Sequence, residues 1–585
     1  VLENISFSAK QGQTIAIFQL ESAGMQSLCR RFGVSRLEDI IALIALYRPG
    51  PIKFRDEFIA RKTGRIPVDY ELPEMQPILE ETYGIMLYQE QIMQVVQAVA
   101  GFSLGNADIL RRAMGKKDVE VMLEQFGKFQ QGCQKRNLPE PVIKSIWDKI
   151  VMFAGYGFNK SHSAAYALLS YRTAWLKANY PVHFMAAVLS SEQGNAEKLS
   201  FYLKECRSMN IRILPPDVNV CDSCFSVDGD NIRFGLAAVK GVGSATVASI
   251  IKARQEGGAF KDLNDFCERV ENNSKKNLEN LIKAGALDCF GLRRSQLLAV
   301  CEDALAIAAQ AIKDRQSGQG SLFDMLAPEE RKVVELPVLD LPEWSLGDIL
   351  DYEKELLGFY ISGHPIAESQ ELVDKFQLDD LSVIQQMPEG SMVRVGAYLS
   401  AVSIRTAKRD QRPWAILQIE NREASLEALL FSDNYAENLR TYPSALQAGK
   451  VLMLEGEVSQ RDPDAPANLI VSRAVPIEQA NVVFAGSLML KIQQSEFDSE
   501  KLARLKQLCQ DNPGDTPLIC CLACDNGSLV FVSNDKRGVT YSAQLQRQLS
   551  ALSGRDSLIV RACKQRPKAK SRNGWRRNNG IVLDN

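Results

Sequence analysis

The sequence lacks any apolar run approaching the roughly 20 residues that a membrane-spanning helix requires. Histidine is scarce: only His162, His183 and His364 occur among 585 residues. None stands beside a cysteine cluster. The CxxC of Cys221 and Cys224, and the group Cys520, Cys521 and Cys524, therefore lack the second ligand pair that a structural zinc site wants. The 13 cysteines are odd in number and scattered, which fits reduced thiols in a cytoplasm rather than a disulfide framework. LICCLAC, Leu518 to Cys524, reads as a strand. An excess of one charge sign is also missing. The formal net charge is −2, so nucleic-acid binding must come from local patches. The opening VLENISFSAKQGQT has no basic stretch followed by an apolar one, so it does not read as a signal peptide. The chain begins with Val1 rather than Met, which points to a fragment or an incomplete reading frame.

What is present is an ordinary globular composition, 45% apolar and 24% charged, on a length that implies several domains. The patterning predicts a multidomain α+β protein. Residues 1–190 read as mostly helical. Ile85, Tyr88, Ile92, Val95, Val96 and Val99 recur at helical spacing, and a second helix from about Ser163 to Ala178 carries a stripe of Ala165, Leu168, Leu169, Trp175 and Leu176. Residues 191–303 hold shorter helices. Residues 304–345 contain DRQSGQGS and PEE and read as a linker, and 346–390 as a helical connector. Residues 391–480 switch to period-two patterns in five short runs, a small β-barrel. Strand and helix patterns alternate over 481–562. The basic stretch from Arg561 to Arg577 has no acid, and 563–585 is read as a disordered tail.

Four places carry candidate chemistry. NADILRRAMGKK puts Arg111, Arg112, Lys116 and Lys117 on a short helix, capped by Asn106 or Asp108 and ended by Gly115. Guanidinium forks and ammonium groups suit a polyphosphate, against the ordinary alternative of a solvated charged face. Asn159, Lys160, Ser161, His162 and Ser163 crowd a helix start, where free N–H groups and the helix dipole favour anions. FGLAAVKGVGSATVASIIKAR has the pattern of a helix-hairpin-helix. Gly241 and Gly243 allow the tight turn, Val242 packs inward, and Lys240 adds charge beside backbone N–H groups that can meet a duplex phosphate. Lys252 and Arg254 are further basic candidates, and LIKAGALDCFG resembles a degenerate second copy. In the barrel, Arg405, Lys408, Arg409 and Arg412 with Trp414 suit a single strand by backbone attraction and base stacking; the alternative is a solvated hairpin with Trp414 in the core.

FQLESAGM, ALYRPGP, YGIMLYQEQIM, LRRAMGKK and AGYGFNKSHSAAYALLSY together resemble the fingers of the bacterial DNA polymerase III alpha subunit, the C family of polymerases, from about Thr14 to Pro216. YEKELLGFYISGHPI, Tyr352 to Ile366, resembles the same family, and the barrel resembles an OB-fold. The resemblance implies that Arg111 and Arg112 meet the phosphates of an incoming deoxynucleoside triphosphate. Lys116, Asn159, Lys160, Ser161 and His162 would line the same pocket, with Gln19, Glu21 and Arg48 near the primer terminus. It implies Mg2+ held by three palm aspartates, and no matching segment precedes Thr14. It also implies primer–template DNA, the beta sliding clamp and the tau clamp-loader subunit as partners, in the cytoplasm. QGSLF, with Gln319, Ser321, Leu322 and Phe323, resembles the clamp-binding pentapeptide, and residues 481–562 resemble the tau-contacting domain.

The competing reading is a non-catalytic adaptor joining DNA to the clamp, which has no use for Arg111, Arg112 and His162. On the polymerase reading these 585 residues bind substrates but lack the groups that hold catalytic metal. Primer extension by this chain, with Mg2+ and all four nucleotides, is expected at background; robust extension would overturn the assignment.

Overall fold

The computed structural model describes residues 12–48, 50–116, 118–154, 157–316, 339–408, 410–460, 467–493, 495, 498–524, 529–533, 538–554 and 557–567. The chain divides into two compact units. One comprises residues 1–343, 355–359 and 463–465, and the other 344–354, 360–462 and 466–585. The Gln319–Phe323 peptide, Lys117, Arg409 and residues 568–585 lie outside the described residues.

The first unit opens with α1 (Ala23–Phe32), α2 (Leu37–Leu46) and α3 (Arg55–Lys62). Almost every side chain of α2 is buried, as IIALIAL requires. Its start is fixed by Asp39, itself buried. Asp39 accepts from the backbone N–H groups of Ser35 (2.9 Å) and Arg36 (3.3 Å), from the Ser35 hydroxyl (3.1 Å), and pairs with Lys62 on α3. Then come α4 (Gln89–Ala100), α5 (Leu104–Lys116), α6 (Val119–Gln134), α7 (Glu140–Ala154) and α8 (Lys160–Asn179). The apolar positions expected from Ile85 to Val99 are all buried, but the helix starts only at Gln89.

Helix α8 differs from its expected orientation. Its buried face is Ser163, Ala167, Ser170, Ala174 and Lys177, while Leu168, Leu169 and Leu176 are exposed. The reason is close approach. Small side chains let α8 pack on α2, and its polar groups hold the segment before α1. Ser170 Oγ donates to Phe18 O (2.7 Å), Thr173 Oγ1 accepts from Phe18 N–H (3.2 Å), and Lys177 Nζ reaches Ile15 O (2.8 Å) and the Glu205 carboxylate. The chain continues through α9 (Pro181–Ser191), α10 (Ala196–Ser208), α11 (Ser244–Gly257), α12 (Lys275–Lys283), α13 (Arg294–Ala299) and α14 (Cys301–Gln316). A small sheet of β1 (Ile213–Leu214), β2 (Ser226–Asp228) and β3 (Asn231–Arg233), in the order β1-β3-β2, was not expected. Nor was the length of α14, which runs to Gln316 and so carries helix thirteen residues into the expected linker.

The second unit holds a closed barrel of β4 (Met392–Thr406), β5 (Pro413–Glu420), β6 (Ser425–Leu430), β7 (Lys450–Ser459) and β8 (Asn468–Pro476), ordered β4-β5-β6-β8-β7. These are the five runs read from the sequence. Helix α15 (Ser432–Thr441), not expected, joins β6 to β7. Ahead of the barrel, the buried Glu353 carboxylate accepts from the N–H groups of Ile361 (2.7 Å) and Ser362 (2.9 Å), fixing the ISGHPI loop. A mixed sheet follows, of β9 (Ala485–Gln493), β11 (Leu518–Ala523), β12 (Leu529–Ser533) and β14 (Leu558–Ala562), with α16 (Ser499–Asp511) and α17 (Ala543–Ser553) and a short pair, β10 (Pro513–Gly514) and β13 (Gly538–Val539). LICCLA is thus strand, with Cys524 just beyond its end, and the cysteines are free thiols.

The first residues of the expected tail are not loose. Arg394 is buried against Glu455 (2.8 Å) and donates to Cys563 O (2.8 Å), and Arg566 grips Asp379 (2.7 and 2.9 Å). The sequence reading failed here because acids far away in the chain supply the partners.

Burial raises the Asp39 carboxyl, but the bonds from Lys62 and Ser35 outweigh it and leave it below the ordinary carboxylate value. A depressed folded value stabilises above the unfolded carboxylate pKa, near ~3.9, and that contribution is lost as pH falls through the folded value. Asp39→Asn should therefore destabilise the first unit by about 3 kcal/mol at neutral pH and flatten the acid limb of its unfolding curve, read by urea titration across pH.

Candidate nucleotide and DNA interfaces

Two helix starts, far apart in sequence, are joined by a two-residue parallel bridge between Tyr88 and Phe158. Gln89 N–H donates to Phe158 O (2.9 Å) and Phe158 N–H to Leu87 O (3.1 Å). The buried Gln91 amide holds this stretch extended. Its oxygen accepts from the N–H groups of Leu87 (2.9 Å) and Tyr88 (3.0 Å), and its nitrogen donates to Thr82 Oγ1 (2.8 Å). That is why α4 begins after Tyr88 and not at Ile85. The bridge sets the first turn of α8 beside the first turn of α4.

The N–H groups at the start of α8 are partly used within the protein. Asn159 is the cap, its Oδ1 accepting from His162 N–H (3.0 Å). Glu90 accepts from Lys160 N–H (3.0 and 3.2 Å), and Lys160 Nζ pairs with Glu81 (2.5 Å). The sequence reading had these N–H groups free for an anion. The carboxylate brought by α4 could not be seen from the local sequence. Ser161 and His162 remain exposed on the first turn.

His162 forms one wall of a cleft of about 470 Å³, with Gln19, Glu21, Tyr47, Arg48, Phe158 and Tyr166 among its lining. The His162 ring stacks on Tyr166 (4.4 Å between centroids) and meets Phe158 edge-on (5.4 Å). The Arg48 guanidinium lies 4.1 Å from the Phe158 ring centre, and burial draws its pKa below the ordinary value. Gln19 has a positive φ of 63°, and Glu21 accepts from Ala16 N–H and Tyr202 OH (both 2.8 Å). Gln19, Glu21, Arg48 and His162 thus share one cleft. Phe158 and Tyr166, which sequence reasoning missed as site residues, supply its aromatic wall. Both stand inside AGYGFNKSHSAAYALLSY, and Tyr166 lies four residues after His162, one helical turn.

Arg111, Arg112 and Lys116 stand elsewhere, on α5, which packs on α4, α6 and α7. Helix α5 starts earlier than expected, with Asn106 N–H donating to Ser103 Oγ (3.3 Å), and Gly115 lies inside it. Asp108 does not cap. It pairs with Arg111 (2.7 Å) and Arg112 (2.8 Å). Among the described residues, no hydrogen bond or ion pair of these arginines reaches α8.

In the hairpin before α11, Gly241 has φ +81°, Val242 is buried and Lys240, Gly241 and Gly243 are exposed. The turn is braced from within. Lys240 N–H donates to Leu356 O (2.8 Å), and Asn280 Nδ2 of α12 donates to Lys240 O (3.2 Å). Arg254 is not available as a DNA-facing charge, because it donates to Val218 O (3.1 Å) and Cys221 O (2.9 Å) and pairs with Asp222. The resembling second copy has its own positive-φ glycine, Gly285, but Ala284, Gly285 and Ala286 are buried and Arg294 closes over them through Asp288.

On the barrel, Arg405 and Trp414 face each other across β4 and β5. Trp414 is half-buried against Phe431 (5.8 Å between centroids), and Arg405 and Lys408 are exposed. Arg412 is held by Asp410 (2.8 Å) and Asp433 (2.6 Å). Among the described residues, no group of three or more His, Cys, Asp or Glu could hold a metal ion. Also among them, no helix is long and apolar enough to cross a membrane.

A family model described as the bacterial DNA polymerase III alpha subunit finger domain matches residues 4–137, and a helix-hairpin-helix model matches residues 210–297. The chain is 37% identical over 576 residues to DNA polymerase III subunit alpha of Pseudomonas aeruginosa, covering 94% of this chain and 48% of that protein. It is 38% identical over 562 residues to the Vibrio cholerae protein of the same name (94% and 48%), and 38% over 521 residues to that of Escherichia coli (87% and 44%). It spans about half the length of the curated relatives it matches. The fingers match, the hairpin, the closed barrel and this sustained identity agree: the chain is similar to a portion of the bacterial DNA polymerase III alpha subunit, with finger, helix-hairpin-helix and barrel regions.

Proposed function

We propose that this chain is the substrate-gripping portion of a replicative, DNA-directed DNA polymerase acting in the cytoplasm. It supplies nucleotide, DNA and clamp contacts for template-directed synthesis from deoxynucleoside triphosphates. The observation that carries this reading is the cleft in which Arg48 and His162, separated by more than a hundred residues, stand on one aromatic wall. A non-catalytic adaptor has no use for such a cleft.

Each part has a task. Arg111, Arg112 and Lys116 meet the triphosphate, where guanidinium forks match phosphate oxygens and ammonium adds charge. Ser161 and His162 present donors on the exposed first turn of α8. Asn159 and Lys160 act from behind, keeping that turn in place through the cap and the Glu81 pair. Gln19, Glu21 and Arg48 lie where a primer end can rest against Phe158. Mg2+ would steady the leaving pyrophosphate in the whole polymerase. Among the described residues no group of three or more His, Cys, Asp or Glu could hold that ion.

The exposed hairpin at Lys240, Gly241 and Gly243, seated by Val242, touches the duplex backbone. The barrel face with Arg405, Lys408 and Trp414 takes the single strand, by charge and stacking, and Arg409 adds its charge to that contact. Arg412 contributes by ordering the β4–β5 turn rather than as a free charge. Gln319, Ser321, Leu322 and Phe323 bind the beta sliding clamp as a linear peptide. The αβ region after the barrel meets the tau subunit.

Two measurements check these assignments. Arg111→Ala with Arg112→Ala should weaken binding of a fluorescent deoxynucleoside triphosphate by about 10- to 100-fold. Unchanged affinity would remove α5 from the nucleotide site. Leu322→Ala with Phe323→Ala should abolish co-elution with the beta clamp while the circular dichroism spectrum stays the same, and retained co-elution would refute the clamp assignment.

A further inference from the structure

Asp108 stands one helical turn before two adjacent arginines. Positions three and four residues on flank the same face, so one carboxylate can reach both side chains. It does so with one oxygen for each guanidinium. Arg111 donates Nε (2.9 Å) and Nη2 (2.7 Å) to Oδ1, and Arg112 forms an ion pair with Oδ2, its Nε 2.8 Å away.

The pattern of donors used is informative. A guanidinium carries five N–H donors; Arg111 is held through its Nε and Nη2, and Arg112 meets the carboxylate at its Nε. The Nη1 side of each has no partner among the described residues. The side chains of Arg111 and Arg112 remain 34% and 68% exposed. Two like charges on neighbouring residues repel, and each long side chain has many rotamers. A shared carboxylate offsets the repulsion and removes much of that freedom before a ligand arrives. The hydrogen bond from Arg111, followed by the charges of both arginines, keeps the Asp108 carboxyl below its ordinary value, so it stays ionised at neutral pH.

We propose that Asp108 is a positioning residue that yokes Arg111 and Arg112 into a double fork for neighbouring phosphate groups of a nucleoside triphosphate. This rests on the nucleotide reading of α5 given above. Coulomb attraction alone points the opposite way, because deleting a nearby negative charge should strengthen anion binding. The sign of the effect therefore decides between yoke and mere neighbouring charge.

The test is calorimetric titration of inorganic triphosphate and of orthophosphate into the full chain, Asp108→Asn, Asp108→Glu, Asp108→Ser and the Arg111→Ala/Arg112→Ala double variant. Losing the yoke should weaken triphosphate binding by about five- to tenfold in both Asp108→Asn and Asp108→Ser. Orthophosphate, which needs one fork, should bind unchanged, and Asp108→Glu should recover part of the loss. A purely structural role would move both anions together, with the melting temperature, and would overturn the proposal. Triphosphate binding that is equal or tighter in Asp108→Asn and Asp108→Ser would overturn it too. Undiminished binding by the double arginine variant would instead sink the nucleotide reading on which the yoke depends.

Discussion

The candidate cleft depends on the bridge between Tyr88 and Phe158. Two backbone hydrogen bonds, each contributing on the order of 1 kcal/mol net, tie segments seventy positions apart. They are effective because the surroundings remove alternatives. Gln91 accepts from the N–H groups of Leu87 and Tyr88, and the Tyr88 side chain is fully buried. Once Phe158 is pinned, Asn159 must cap and Lys160 must fall between Glu81 and Glu90. His162 then lands on Tyr166, in the cleft that Arg48 also lines. Each step is short-range, but all of them start from one long-range pairing.

A second constraint is steric. Helix α8 carries serines and alanines where it meets α2, so the backbones come close and the leucines are left outside. The hydroxyls on that inner face are not idle, since they hold the segment leading to Gln19 and Glu21. The same helix thereby positions both walls of the cleft, one by its first turn and the other by the loop it straps down.

Carboxylates organise the cations throughout. Glu81 and Glu90 fix the start of α8, Asp108 joins two arginines, Asp410 and Asp433 order the barrel turn, and Asp379 anchors Arg566. A cluster that looks like free positive charge in the sequence is therefore already partly partnered in the fold. What such pairs supply at an exposed surface is orientation rather than stability, because solvent screens their attraction.

Much was legible in the linear sequence because its physical cause is local. The five barrel runs alternate with the pleat of a strand, and Gly241 and Val242 announce a tight turn with an inward residue. The long finger motifs carried the family resemblance. Tertiary structure alone decided which face of α8 is buried, since leucine at helical spacing signals a core only when the opposing helix leaves room for it. It alone decided that Arg254 braces a loop, that the second hairpin is closed, and that Cys563 to Arg566 lie bound to the barrel side of their unit. Those outcomes turn on partners distant in sequence. Residue spacing fixes what a side chain can do, whereas the fold determines which groups reach it.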